Sequence, residues 1–389
     1  MELRPLGPED RFAARMNAMF AFHGRMDDLE EERAESLSDD AEAWGAFGDD
    51  GVLWASLTDY AFRAVIDGQD VPAGGIGEAA TLPEYRERGA MRALLEAFLP
   101  AAHRNGEVLS TLCPSSHSFY RQFGYETVLT QSVYEMPVSA LEDYRFDGTA
   151  ELLEPGNPVT EHTALYSRFA RSCNLAAVRG EERMKNLLSG PYWKTRKFCY
   201  LLRCGGEAAA YVQFADDRTP EGSTLAVWDM AFDGARGFEA VLGFLSRFDL
   251  DYDRAELWMP SGVELLSLIR SRRQGEIRKR TLQNFMVRAV SAKRLLEVLK
   301  KPAGASFVLR IRDPLIPEND GVFRVDGDTV RETDELPDLS LSAAAFSQLA
   351  VGGIGLNEAL LRPDAELHGN RALLEQVFVR KSLFNNENF

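Results

Sequence analysis

Four cysteines and five histidines in 389 residues leave little material for disulfides or metal centres. Cys199 and Cys204 are the nearest cysteine pair, but four residues separate them and no histidine cluster accompanies them. Ordinary reduced thiols are expected there, and no metal site. No apolar run approaches the ~20 residues that a membrane helix requires. The first residues, Met1–Glu2–Leu3–Arg4–Pro5–Leu6–Gly7–Pro8–Glu9–Asp10, carry charges and prolines where a secretory leader needs an apolar stretch, which points to a cytoplasmic protein. Positive charge is also scarce: 44 Lys and Arg stand against 60 Asp and Glu, a net charge of −16. Such a surface repels nucleic-acid phosphates and argues against a nucleic-acid partner. It attracts polycations such as polyamines, aminoglycosides or lysine-rich tails, although the same charge also serves solubility. The densest acidic stretch, Met26–Asp27–Asp28–Leu29–Glu30–Glu31–Glu32 and on to Asp39–Asp40, is by default a solvated face and alternatively the entrance for a cationic substrate.

A chain of this length exceeds one compact core, so two or three domains are expected. From Gly51 to about Met136 the pattern alternates strands and helices. Val52–Leu57 and Ala61–Ile66 read as short strands around a turn-like Thr58–Asp59–Tyr60, and Gly74–Thr81 reads as a glycine-punctuated strand. From Gly89 to His103, Met91, Leu94, Leu95, Phe98 and Leu99 recur at helical spacing. Asn105–Gly106 suits a helix end, and Val108–Cys113 is the next strand, which completes a βαβ crossover. The same order recurs at Leu225–Phe232, Gly237–Leu245 and Ala255–Pro260, which reads as an internal duplication. After Lys300–Lys301–Pro302 the alternating strands Phe307–Arg312 and Val322–Val325 and a helix-like segment through Leu349 suggest a third, α+β unit.

The chemistry concentrates at Thr81–Leu82–Pro83–Glu84–Tyr85–Arg86–Glu87–Arg88–Gly89–Ala90–Met91–Arg92. A strand precedes this loop, a glycine permits a tight turn, and a helix follows at once. A helix start offers free backbone N–H groups and partial positive charge to a pyrophosphate, and Arg86, Arg88 and Arg92 add full charges. The plain alternative is a solvated helix start with surface arginines. The Gly-Lys-Ser/Thr of a Walker loop and the Gly-x-Gly-x-x-Gly of a dinucleotide fold are both missing. In the second copy, Asp233–Gly234–Ala235–Arg236 stands in place of the basic loop, so phosphate binding is expected in the first copy alone.

The Pro–x–x–Arg–x–Arg–Gly–x–x–Arg–x–Leu pattern resembles the acetyl-CoA loop of GNAT-fold acetyltransferases, with Met91 in place of the usual final Gly or Ala. Ser115–Ser116–His117–Ser118–Phe119–Tyr120–Arg121–Gln122–Phe123–Gly124–Tyr125 is similar to the segment where those enzymes carry a tyrosine acid. The whole chain resembles the enhanced-intracellular-survival (Eis-like) acetyltransferases, in the segments Asn284–Phe285–Met286–Val287–Arg288 and Asp313–Pro314–Leu315–Ile316–Pro317–Glu318–Asn319–Asp320–Gly321 and in the aromatic last residue Phe389. The resemblance implies an α/β (α+β) architecture of tandem GNAT-fold domains, each a mixed sheet flanked by helices, followed by a sterol-carrier-protein-like domain. The implied boundaries are 1–140, 141–290 and 291–389.

The same resemblance implies acetyl transfer from acetyl-CoA to a primary amine on a cationic small molecule or peptide. Tyr120 becomes the acid that protonates the leaving thiolate, and the terminal carboxylate of Phe389 the base. Ala79, Ala80 and Thr81 would pair with the pantetheine arm, Glu87, Arg88, Gly89, Ala90, Met91 and Arg92 would cradle the pyrophosphate, and Ser115 and Ser116 would flank the thiol. A homo-hexamer is implied as well. Tyr125 is expected to pack, and His117, like His103, to be a hydrogen-bonding surface residue. A frayed tail is the plain alternative for Phe389. For the whole chain the alternative is a non-catalytic scaffold whose third domain holds an apolar ligand.

Overall fold

The computed structural model describes residues 1–24, 41–219, 222–270, 276–282 and 285–387. The acidic stretch 26–40 and Phe389 lie outside the described residues. Among the described residues the strands form three sheets. The first contains β1 (Glu2–Pro5), β2 (Glu42–Phe47), β3 (Leu53–Ile66), β4 (Gln69–Thr81), β5 (Leu109–Leu112) and β6 (Glu126–Thr127). The second contains β7 (Gln131–Pro137), β8 (Thr149–Leu152), β9 (Lys197–Cys204), β10 (Glu207–Thr219), β11 (Gly222–Phe232), β12 (Arg254–Pro260) and β13 (Arg278–Thr281). β14 (Met286–Ala289) returns to the first sheet.

Strand order shows both the duplication and an exchange. The first sheet runs β1-β2-β3-β4-β5-β14-β6 and the second, from its far end, β8-β9-β10-β11-β12-β7-β13. β4 and β5 are parallel, as are β11 and β12, and a helix bridges each pair: Ala90–Arg104 in the first unit and Gly234–Leu245 in the second. The sixth position of each sheet is filled by the other unit's strand. β14 pairs with β5 and β6, while β7 pairs with β12 and β13. The expected boundaries at 140 and 290 therefore do not divide the chain into self-contained units, because each sheet has a strand from beyond them. β14 is buried along its whole length and β7 along nearly all of it, and a strand covered on both faces is stable only with ladder partners at both edges.

The expected turn at Thr58–Asp59–Tyr60 is instead the middle of β3. Its polar residues imitate a turn but are buried, and the chain reverses later, at Asp67–Gly68, where φ is +49° and +81°. Two successive positive φ values make the tight turn that joins Ile66 to its partner Gln69.

The third sheet orders β17-β16-β15-β18-β19, with β15 (Ser306–Arg312), β16 (Gly321–Asp326), β17 (Thr329–Glu332), β18 (Leu339–Ser342) and β19 (Ala365–Leu367). Its apolar core is continuous with that of the first unit, since Phe307, Leu341 and Phe346 share a cluster with Ala64, Val108 and Val287. The Ser347 hydroxyl accepts from the Ala289 N–H, and the Gln348 amide donates to the Thr127 carbonyl, so the helix Ala343–Ala350 is fixed on the edge formed by β14 and β6. No described helix is long and apolar enough to cross a membrane.

Candidate active site

β4 and β5 pair only from Ala73 to Ile76. Beyond that point β4 continues to Thr81 bonded to β3 alone, across a bulge between Gly77 and Ala80. Glu78 sits at the bulge with φ +51°, a left-handed conformation that kinks the strand away from β5. The backbone of Gly77–Thr81 thus faces an opening on the β5 side. This opening is a cavity of about 750 Å³ whose wall includes Ala79, Ala80, Thr81, Tyr85, Arg86 and Glu87. Gly89, Ala90, Met91 and Arg92 close its next side, and Cys113, Ser115, Ser116, Phe119 and Tyr120 its floor.

Residues 82–89 link β4 to the helix Ala90–Arg104 through a short turn at Pro83–Tyr85. Glu87 and Gly89 both have positive φ, +63° and +79°, and Gly89 is the residue before the first helical turn. The Ala93 N–H is the first to bond back, to the Gly89 carbonyl, so the N–H groups of Ala90, Met91 and Arg92 have no intrahelical partner. Arg86 donates from Nε to the Thr81 carbonyl at 3.3 Å and lines the cavity. Arg92 lines it too, held by Gln122 and by Glu96 at 3.9 Å.

Arg88 departs from expectation. Its guanidinium lies over the rings of Trp54 and Tyr85, 5.3 Å from each centroid, and does not line the cavity. Those two rings stack on each other at 5.0 Å. Arg88 therefore braces the outer side of the loop by a cation–π contact.

Tyr120 sits in the short helix His117–Arg121, whose start is capped by the Ser116 hydroxyl accepting from the Phe119 N–H at 3.4 Å. Its ring is buried edge-on against Phe119, 5.2 Å between centroids, and it faces the cavity. Burial pushes the Tyr120 phenol above its ordinary value, and a hydrogen bond with Ser115 opposes this only in part. The phenol is neutral near pH 7 and can donate. Tyr125 packs as expected: it is fully buried, with its hydroxyl 2.7 Å from that of Ser110. His103 and His117 are half-buried, and neither lines the cavity.

Ten of the expected cofactor-binding residues thus meet Tyr120 on one cavity, and Arg88 is the one that does not. Glu78 and Phe22, which no sequence pattern singled out, also line the cavity. The Glu78 carboxylate accepts from the Thr58 hydroxyl at 3.1 Å and from Arg15 at 3.3 Å. A lone acid in a run of Gly, Ala and Ile was the available signal. No group of three or more potential metal ligands occurs among the described residues.

The second unit has no matching loop. β11 ends at Phe232 and the helix Gly234–Leu245 starts after Asp233 alone, whereas residues 82–89 intervene in the first unit. Asp233 places a carboxylate at that helix start and pairs with Arg168 at 3.2 Å. A pyrophosphate would meet negative charge there and no cradle.

Comparison with known proteins agrees with this geometry. Residues 2–128 match the acetyltransferase (GNAT) domain and residues 287–382 the sterol carrier protein domain. An uncharacterized N-acetyltransferase of Streptomyces avermitilis is 26% identical over 314 residues, 76% of each chain. A probable N-acyltransferase of Enterococcus faecalis superposes with a TM-score of 0.87 at 20% identity, covering 99% of both chains. A GCN5-related N-acetyltransferase of Anabaena variabilis gives 0.86 at 19% identity over 98% of both. Eis1 of Mycobacterium abscessus gives 0.83 at 22% identity over the whole of both.

Proposed function

We propose that this GNAT-type N-acetyltransferase, closed by a C-terminal sterol carrier protein domain, moves acetyl from acetyl-CoA to a primary amine of a polycationic acceptor. The observation that carries the reading is the single cavity in which an unpaired strand edge, a left-handed loop at a helix start and a buried tyrosine converge. Its volume of about 750 Å³ suits a large, extended ligand.

Acetyl-CoA supplies an activated acetyl thioester when bound. The free backbone of Ala79–Thr81 pairs with the amides of its pantetheine arm as an added strand. The N–H groups at Ala90–Arg92, with Arg86 and Arg92, take the pyrophosphate, and Glu87 and Gly89 shape the turn that aims them. Ser115 and Ser116 lie beside the thiol end. Tyr120 keeps its proton at neutral pH and gives it to the departing sulfur. The terminal carboxylate of Phe389, with a reference pKa of roughly 3.3–3.7, is ionised at neutral pH. It orients the cationic amine and takes its proton directly or through water. The net charge of −16 draws a polycation toward the protein. The same reading makes the protein a cytoplasmic homo-hexamer, which light scattering checks.

Thiol release from acetyl-CoA in the presence of polyamines, aminoglycosides or lysine peptides tests the proposal. Release with at least one of these amines is expected. No release with any of them, together with no CoA binding, would overturn it.

A further inference from the structure

The helix that brings Tyr120 to the cavity is only five residues long, His117–Arg121. A helix this short does not hold itself together and takes its order from what it is packed against. Two charged clusters, both rooted in the third unit, grip it and the turn that follows.

The first cluster starts at Arg121, the chain neighbour of Tyr120. Arg121 donates from Nε to the buried Glu126 carboxylate at 2.9 Å, and the other Glu126 oxygen accepts from Arg362 at 2.9 Å. Arg362 lies just before β19 and is itself aimed by Asp364, which takes two bonds from it at 2.9 Å, and by Gln348 at 3.3 Å. Burial pushes the Glu126 carboxyl up, but hydrogen bonds from the Thr127 N–H, Arg362 and Arg121 outweigh it and hold the group below its usual range. Glu126 is therefore charged at neutral pH, and the chain of ion pairs from the third unit to the helix is intact.

The second cluster holds the exit of the helix. The Phe123 N–H bonds to the Tyr120 carbonyl at 3.0 Å, and the Phe123 carbonyl accepts from Arg288 Nε at 2.9 Å. Arg288, 1% exposed, also donates to Asp313 at 2.5 Å. Asp313 accepts in turn from the Asn319 amide at 3.0 Å and from the Leu315 and Ile316 N–H groups at 3.1 and 3.2 Å. Gly124 has φ +80°, and a Cβ there would come within 2.7 Å of Arg288 Nε, so the turn is shaped around the guanidinium. Ile316 is fully buried in the apolar cluster that contains Tyr120 and Phe123. Buried ion pairs are poor sources of net stability, and their attested use is to fix one arrangement among several. Here the arrangement fixed is the seat of a phenol that has to reach one sulfur atom, and a misplacement of about 1 Å can cost a reaction on the order of a hundredfold.

We infer that the third unit serves acetyl transfer as the mount of the Tyr120 helix. Arg362, through Glu126 and Arg121, and Asp313, through Arg288, are its positioning residues. The inference rests on the proposed role of Tyr120 as the acid. It gives the third unit a task in the reaction that requires no apolar ligand.

Arg288→Ala or Asp313→Ala would strand a buried charge and endanger the fold. The test therefore uses Arg362→Met, which leaves Glu126 its bonds to Arg121 and Thr127, in the native chain and in Tyr120→Phe. In the native chain it is expected to lower kcat on the order of tenfold while the acetyl-CoA KM stays within about twofold. In Tyr120→Phe, where no phenol remains to be aimed, it is expected to change kcat by less than about twofold. Arg121→Ala, which cuts the same chain of ion pairs at its half-exposed end, is expected to give the same pattern. An equal loss in both backgrounds, or no loss in the native chain, overturns the inference and leaves the role of Tyr120 standing. Full activity in Tyr120→Phe alone removes the acid, and the inference fails with it.

Discussion

Tyr120 and Tyr125 meet edge to face with ring centroids 6.1 Å apart, yet only the first lines the cavity. Tyr125 spends its hydroxyl on Ser110 inside the core, whereas that of Tyr120 is held by Ser115 at the cavity floor. Two tyrosines five residues apart therefore have different surroundings, one sealed in the core and one facing the cavity. Tyr120→Phe is expected to lower kcat by about a hundredfold or more, with acetyl-CoA affinity nearly unchanged. Tyr125→Phe leaves the Ser110 hydroxyl without its partner and should cost about 1–3 kcal/mol of stability while kcat per folded molecule persists. Steady-state kinetics beside denaturant unfolding checks both variants. Full activity in Tyr120→Phe removes that residue from the mechanism.

Gly89 immediately precedes the first unit's helix and Gly234 begins the second unit's helix, with φ of +79° and +60°, and a Cβ at either would touch nothing. Alanine at each therefore costs only backbone strain, about 1–2 kcal/mol. Both variants should lose similar stability, but Gly89→Ala alone should weaken acetyl-CoA binding. Calorimetric titration of the two proteins decides, and equal affinity in both would separate the loop from the co-substrate.

Asp59 on β3 and Glu107 before β5 are buried beside each other against Gly74. Burial pushes Glu107 up to about 9 and Asp59 up to about 6, and for Glu107 the charge of Asp59 adds to the rise. Unfolded carboxyls titrate near ~4, so the folded protein holds protons that the unfolded chain has released. The stability these groups contribute is complete below that value and is lost as pH rises through about 6 and then about 9. Glu107→Gln should flatten the fall in melting temperature across that window. The same slope in the variant would dissociate the pair from the effect.

Residues appended after Phe389 would displace the terminal carboxylate. Such a protein should bind acetyl-CoA normally and transfer acetyl slowly, which thiol-release assays on tagged and untagged chains measure directly. Equal rates would show that the terminus plays no part.

Much of the first site was legible because its signals are local. Helical spacing from Met91 to Leu99, the glycine at the turn and the clustered arginines all lie within one βαβ unit. The fate of Arg88 was not legible, because the aromatic platform that captures it includes Trp54, a neighbour only across the β3–β4 ladder. The strand exchange was hidden for a related reason. An apolar strand reads alike whichever sheet it joins, and β14 meets β5 across more than 170 residues of chain. Thr58 and Asp59 misled in the opposite sense: a polar pair suggests a turn unless its partners, the half-buried Glu78 and the buried Glu107, are known. The cluster around Arg288 joins residues from β14, the turn after the helix His117–Arg121, and the segment after β15, so no window of sequence contains it.

On the proposed reading the first unit alone binds acetyl-CoA. Isothermal titration of the full chain, repeated on the Arg86→Ala, Arg92→Ala double variant, decides this. One equivalent per chain is predicted, with affinity reduced by roughly tenfold or more in the variant. Two equivalents, or undiminished affinity without the two arginines, would contradict it.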